Sequence, residues 1–208
     1  SEHAVTGFET MTTMLQAMNG SGCTPIVRPQ WNDMVMIKRI LDLGAHGVLV
    51  PWVNNKEQAE YAVSACKYPP MGLRGYGPRR AGLFDPDYMT TANKEVMVIV
   101  QIETREAVKN VDEILAVEGV DACYIGPFDL SLSYGFVQPN WQDADYLAAF
   151  DTVLAAAKKA GKPAGMFAVS ENIKWAKEKG FVLNTIDDCD AFLKKGANLA
   201  LDLFRGNS

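Results

Sequence analysis

Two acidic residues stand where apolar runs end. Glu103 closes the run VIVQIE, and Asp129 follows a Gly-Pro turn in CYIGPFDLS, which spans Cys123 to Ser131. Carboxylate oxygens are what a hard divalent cation takes from a protein, usually one or two of them, with water and substrate filling the octahedral shell. At the ends of adjacent parallel strands, Glu103 and Asp129 would converge on one point above a sheet. Each acid alone has an ordinary alternative as the cap of a following helix or turn; the pair together is a candidate metal site. Arg28 is the only charge in TPIVRPQW and ends a run that otherwise reads as core. Its guanidinium is therefore expected in the same bowl, where it suits a carboxylate or a developing enolate oxygen. An internal ion pair with Glu103 or Asp129 is the rival reading. His3, one of 2 histidines, is a candidate general base if residues 2 and 3 close an earlier strand. His46, between Ala45 and Gly47 at the start of an apolar run, falls at the opposite end of its strand and reads as structural.

Positioning these residues requires strands that share a polar end. Apolar extended runs alternate with amphipathic helical patterns along the chain, the signature of a parallel α/β fold. TPIVR, HGVLVPWV, VMVIVQIE, DACYIGP, KPAGMFAV and FVLNTID read as six strands, each followed by a helix, with a further helix, FETMTTMLQAMNG, ahead of the first. Asn32 or Asp33 caps the helix that Gly44 stops. Between Pro69 and Glu95 lies a stretch rich in Gly, Pro and Arg that reads as irregular and too long for a mere connector, hence functional. A doubly wound sheet would show a Gly-rich phosphate turn after an early strand, and GLRGYG has neither the strand before it nor the helix after it. A (β/α)8 TIM barrel gathers polar residues at the C-terminal ends of many strands. Arg28, Glu103, the Gly126 to Asp129 turn and Asp187 all fit that description. The expected fold is a single barrel domain over residues 1–208, with its first strands missing from this chain.

Composition narrows the partners. With 208 residues, 48% hydrophobic and 22% charged, the chain can bury a sizeable core. A formal charge of -5, spread without acidic or basic blocks, speaks against nucleic acid and anionic membrane surfaces. No apolar run reaches the roughly twenty residues of a membrane span. The 4 cysteines are widely spaced and form no Cys-x-x-Cys pair, which favours a reducing, cytoplasmic setting over a disulfide framework. No lysine ends a strand, and Lys38 and Lys56 fall in helical patterns, so a Schiff-base route is not indicated.

The blocks VRPQWND, ILDLGAHGVLVP, YPPMGLRGYG, VQIETREAVKN and VEGVDACYIGPFDLSLSYG resemble the HpcH/HpaI aldolase family of the pyruvate and phosphoenolpyruvate barrel superfamily, over essentially the whole chain. The resemblance implies a class II, metal-dependent lyase. Such an enzyme reversibly cleaves a 4-hydroxy-2-oxo acid to pyruvate and an aldehyde through a pyruvate enolate, with Mg, Mn or Co as the divalent metal ion. Carried over by motif, Glu103 and Asp129 are the metal ligands, Arg28 stabilises the enolate, Gln101, Gly126 and Pro127 line the pyruvate site, and His3 with Asp42 forms a proton-transferring dyad. It also implies a homo-oligomer, a hexamer built as a trimer of dimers, with the last helix packed on a neighbour. The family's early strands, and the acidic residue usually found two before its Glu-His pair, are absent here, and the segment from Arg74 to Asp87 is shorter than in bacterial aldolases, which leaves the second substrate open. Oxaloacetate decarboxylation or a carbon-carbon bond-forming synthase would use the same scaffold, an acyl-CoA lyase would want a basic groove, and a non-catalytic metal-binding paralogue is the alternative outside enzymes.

Overall fold

The computed structural model describes residues 3–206. Its elements alternate as expected: α1 (Phe8–Ala17), β1 (Ile26–Val27), α2 (Met34–Asp42), β2 (Gly47–Val50), α3 (Lys56–Cys66), α4 (Ala81–Phe84), α5 (Tyr88–Glu95) and β3 (Met97–Ile102). There follow α6 (Arg105–Lys109), α7 (Val111–Ala116), β4 (Ala122–Ile125), α8 (Pro127–Ser133), α9 (Ala144–Ala160), β5 (Ala164–Ala168), α10 (Ile173–Lys179), β6 (Leu183–Ile186) and α11 (Cys189–Arg205). All neighbouring strands pair in parallel, in the order β1-β2-β3-β4-β5-β6. This curled, sequential sheet is consistent with barrel winding, and the described residues hold 6 of the eight strands that closure requires.

Strand alternation divides the sheet into two faces. Val98, Val100 and Ile102 point outward into the main core, beneath the helices, with Val48, Val50, Cys123 and Ile125. Ile99 points the other way and packs with Ala122 and Tyr124, bordered by Leu49 and Phe167. Along β3 the same parity carries Gln101 and then Glu103 onto this second face, so the polar residues continue an apolar column at its C-terminal end. Behind the sheet, Trp141, Tyr146, Phe150, Trp175 and Phe181 form an aromatic cluster with ring centroids 5.2–6.4 Å apart. Tyr146 reaches out of that cluster to donate its hydroxyl to the Pro127 carbonyl at 2.8 Å, tying α9 to the turn that follows β4.

Two local features depart from the sequence reading. The stretch from Pro69 to Glu95 is not wholly irregular, since it contains α4 and α5. Asn93 on α5 exchanges hydrogen bonds with the Tyr68 backbone at 2.7 and 3.0 Å, and Lys67 Nζ donates to the Asn93 and Val96 carbonyls at 2.9 and 2.6 Å. These tertiary contacts hold as helix a segment whose composition argues for loop. The helical pattern after Glu103 is likewise two helices, broken at Asn110, whose side-chain amide donates to the Asn54 carbonyl at 2.9 Å.

All 4 cysteines are free thiols: Cys66 and Cys123 are buried, while Cys23 and Cys189 are exposed. Burial pushes both buried thiols up to about 12, so at neutral pH neither forms the reactive thiolate. A thiol-reactive chromogen at pH 8 is therefore expected to label Cys23 and Cys189 rapidly in the native protein and the other two only after denaturant is added. Four equally fast thiols would contradict this packing. Among the described residues no helix is long and apolar enough to cross a membrane.

Candidate active site

Every strand of the sheet delivers a polar group at its C-terminal end. Arg28 follows β1, Trp52 lies two residues beyond β2, Glu103 follows β3, Gly126 follows β4, Ser170 lies two residues beyond β5, and Asp187 follows β6. The centre of this row is the best defined. Glu103 is 1% exposed and Gln101 also 1%, and Gln101 Nε2 donates to Glu103 Oε2 at 2.5 Å. The backbone N–H of Trp52 donates to the other oxygen, Oε1, at 2.8 Å. Thr104, not Glu103, caps the next helix by accepting the Ala107 N–H at 3.0 Å. The capping alternative for Glu103 is thus taken up by its neighbour, and the Glu103 carboxylate belongs to the site.

Gly126 explains why the turn after β4 starts with glycine. Its φ of -91° suits any residue, so conformation is not the reason. A Cβ there would lie 2.5 Å from Glu103 Oε2, 2.7 Å from Gln101 Nε2 and 3.1 Å from Glu103 Cβ. The turn must pass this close to the carboxylate, and only hydrogen fits between them. Gly126→Ala is expected to displace Glu103, lowering catalytic efficiency about a hundredfold with little change in global fold, as misplacement on the ångström scale does. Steady-state kinetics alongside circular dichroism checks this; an unaltered kcat/KM would show that the cradle is not critical.

Asp129 sits in the first turn of α8, half-buried, one strand over from Glu103. Arg28 is half-buried on the other side, near Tyr124 of the inner face. Burial raises the Tyr124 phenol above its ordinary range, while its Thr185 hydrogen bond and the Arg28 guanidinium pull it back down. At the far end of the row, Asp187 has φ 57°, a left-handed backbone rarely adopted by a non-glycine residue. Its buried carboxylate accepts from Ser170 Oγ at 2.5 Å and from Lys195 Nζ of α11 at 2.7 Å. The Lys195 and then the Ser170 hydrogen bond hold this acid below the usual carboxylate range.

The structure thus brings Gln101, Glu103 and Gly126 into contact and puts Arg28, Pro127 and Asp129 at the same end of the sheet. Two expected residues lie elsewhere. Asp42 ends α2, and since that helix leads back to the start of β2, it lies at the opposite edge of the sheet, roughly a strand length of about 20 Å away. There it pairs with Arg74 at 2.8 Å. His46 lies at that same edge, as expected for a structural residue: its carbonyl accepts the Met97 N–H at 3.0 Å, just before β3. His3 is exposed, in the segment that leads into α1. Trp52 was not anticipated, because its contribution is a backbone N–H, which leaves no trace in residue type.

A divalent cation fits the donors present. Among the described residues no group of three or more His, Cys, Asp or Glu side chains could hold an ion, so an ion here would draw on the two carboxylates, as magnesium-type sites do. Gln101 Oε1 is buried without a hydrogen-bond partner, an orphaned acceptor beside Glu103 of the kind a bound cation or its water satisfies.

Known proteins give the same picture. A 4-hydroxy-2-oxo-heptane-1,7-dioate aldolase of Shigella flexneri is 44% identical over 176 residues, covering 83% of this chain and 66% of that protein. The chain therefore spans just under two thirds of the length of that relative. The protein of the same description from Klebsiella pneumoniae subsp. pneumoniae is 41% identical over 212 residues, covering 100% of this chain and 80% of its own length. The crystal structure of a HpcH/HpaI aldolase/citrate lyase family protein from Burkholderia cenocepacia J2315 superposes with a TM-score of 0.91 at 32% identity, over 98% of this chain and 83% of that one. The pattern of that family matches residues 1–174, a span that contains the acids at the ends of β3 and β4 and the glycine between them, and the chain belongs to the HpcH/HpaI aldolase/citrate lyase family.

Proposed function

We propose that the protein of which this chain is part is a metal-dependent lyase that reversibly cleaves a 4-hydroxy-2-oxo acid into pyruvate and an aldehyde. The observation that carries this reading is the buried Glu103 carboxylate, held at both oxygens by Trp52 and Gln101 and pressed against Gly126 at the strand ends. Glu103 and Asp129 would hold a divalent cation, magnesium, manganese or cobalt, which when bound supplies Lewis-acid charge to the keto oxygen of the 2-oxo acid. Arg28 offers its planar guanidinium to the same oxygen, where negative charge grows as the C3–C4 bond breaks. Gln101 and the Gly126-Pro127 turn orient the pyruvate moiety, and Tyr146 holds that turn through the Pro127 carbonyl. His3 takes the proton of the 4-hydroxyl in cleavage and returns it in condensation. Asp42, paired with Arg74 within this chain, serves His3 only if another copy of the chain presents it.

Proton exchange on pyruvate tests the reading without knowledge of the aldehyde. In heavy water with magnesium, manganese or cobalt, the full-length protein is expected to exchange the pyruvate methyl protons well above the metal-only rate, and chelator should stop it. Arg28→Lys should slow exchange by roughly a hundredfold or more, because an ammonium on a flexible stem does not reproduce the guanidinium contact. Metal-loaded protein that binds pyruvate yet gives no exchange above the control overturns the proposal.

The same reading includes assembly. The 17-residue helix α11 has no buried residue, and Phe192, Leu193, Leu199, Leu203 and Phe204 are 55–89% exposed. An amphipathic helix with its apolar stripe in water is completed by packing on a second copy. Light scattering at micromolar concentration is expected to show a homo-oligomer, and Leu199→Glu together with Phe204→Glu to shift it towards monomer. A monomeric parent protein would remove α11 as the contact.

A further inference from the structure

Beside the carboxylate cradle, Trp31, Asn32, Trp52, Glu57, Gln58 and Tyr61 line a cavity of about 230 Å³. Its walls come from the turn after β1, the end of β2 and the first two turns of α3. Three of the six are large aromatics that stay in solvent: Trp31 is 56% exposed, Tyr61 41% and Trp52 37%. The two indoles form an open wedge, with centroids 6.3 Å apart and planes tilted by 31°. Burying such rings elsewhere in a fold of this size is easy, so their clustering round one hollow calls for an occupant.

The lining is built rather than incidental. Asn32 Nδ2 donates to the Gln58 carbonyl at 2.9 Å, Gln58 Oε1 accepts the Asn54 N–H at 2.7 Å, and the Tyr61 hydroxyl accepts the Met34 N–H at 3.3 Å. These bonds fix the floor and one wall. Asn32 Oδ1, on a residue of the same lining, is buried without a partner. Glu57 adds a carboxylate, whereas the nearby Lys56 is turned to Glu60 at 3.6 Å. Aromatic faces present negative quadrupole, and with a carboxylate and a spare carbonyl oxygen the hollow is electron-rich on every side.

The geometry points to a binding site for an alkylammonium group in this hollow. Aromatic rings with an acid are the means by which proteins hold quaternary and alkylated ammonium ions. The position of Trp52 gives the site its meaning. Its φ of 55° is the left-handed backbone that a bulky side chain rarely adopts, and this conformation lets one residue send its N–H to Glu103 while placing its ring in the wedge. Strain of this kind persists where the surroundings enforce it, and it clusters at functional sites. An ammonium held by the wedge would lie next to the reacting carbon centre, so the hollow would select a second substrate with a cationic tail. That last step rests on the proposed lyase chemistry; the binding itself does not.

Titration of the full-length protein with tetramethylammonium and with choline, followed by tryptophan fluorescence at constant ionic strength, tests the site. Saturable quenching is expected, with choline binding at least about fivefold more tightly than its uncharged isostere 3,3-dimethylbutan-1-ol, within the roughly two- to thirtyfold range of cation–π contacts. Trp31→Ala and Glu57→Gln should each weaken choline by about fivefold or more, and neither removes a group bonded to Glu103. Absence of saturation up to about 100 mM, or equal affinity for the isostere, overturns the site. Pyruvate proton exchange measured on the same samples separates the two proposals: exchange without choline binding defeats only the ammonium site, and choline binding without exchange defeats only the lyase reading.

Discussion

Glu103→Gln is expected to lower pyruvate exchange and aldol cleavage on the order of a thousandfold while the protein melts close to its parent temperature. The loss follows from the charge, since Glu103 is one of only two carboxylates placed to hold a cation and glutamine is a far poorer donor to a hard ion. The retained stability follows from the neighbours. Glutamine keeps an oxygen for the Trp52 N–H, while its new amide would face the Gln101 amide, donor against donor. Gln101 can flip, because its Oε1 is unpartnered, and the pair then bonds in the opposite sense. The cost in folding free energy should stay within about 1 kcal/mol. Asp129→Asn should show the same loss of activity. Full activity in either variant, with metal still titrating normally, would remove these acids from the mechanism.

The second large effect lies at the opposite edge of the sheet. Arg74 is fully buried, its guanidinium 4.4 Å from the Tyr68 ring and 5.3 Å from that of Tyr88, and its charge is met by Asp42 at 2.8 Å. Nη1 also donates to the Tyr88 hydroxyl at 3.0 Å. Burial works against the charged form of Arg74, but Tyr88 and Asp42 outweigh it, and the guanidinium stays protonated. Asp42→Asn leaves that charge buried without its counterion, a change that costs about 3–5 kcal/mol for fully buried pairs. The 22% exposure of the Asp42 side chain places this case at the lower end. Urea denaturation should show that loss, and the double variant Asp42→Asn, Arg74→Met should recover most of it, since an apolar replacement needs no counterion. A destabilisation below about 1 kcal/mol would mean that water or Tyr88 already compensates the charge. If Asp42 also serves His3 across a subunit contact, activity stays low in the double variant after stability has returned.

Much of the fold was legible because its signals are local. Asp33, Asn55, Thr104, Asp143 and Asp188 each cap the helix that begins beside them, and Gly161 and Gly180 close helices at positive φ. Such signals act over a few residues and survive in a string of letters. The apolar runs also showed their parallel pairing, since strands buried on both faces carry continuous hydrophobic stretches. Glu103 and Arg28 were visible for the same reason: a charge at the end of such a run has few other places to go.

What the sequence determined by itself was therefore the alternation of elements and the presence of acids and an arginine at strand ends. Only the tertiary structure decided which groups meet. The Trp52 N–H reaches Glu103 across 51 residues of chain, and Asp42 finds Arg74 across 32. Lys67 and Asn93 hold helices in a stretch whose composition reads as loop. Glycine at position 126 looks like an ordinary turn residue until the carboxylate of β3 is placed 2.5 Å from its missing Cβ. Backbone donors, buried counterions and close approaches leave no pattern in residue type, because they depend on distances between segments that meet only when the sheet has formed.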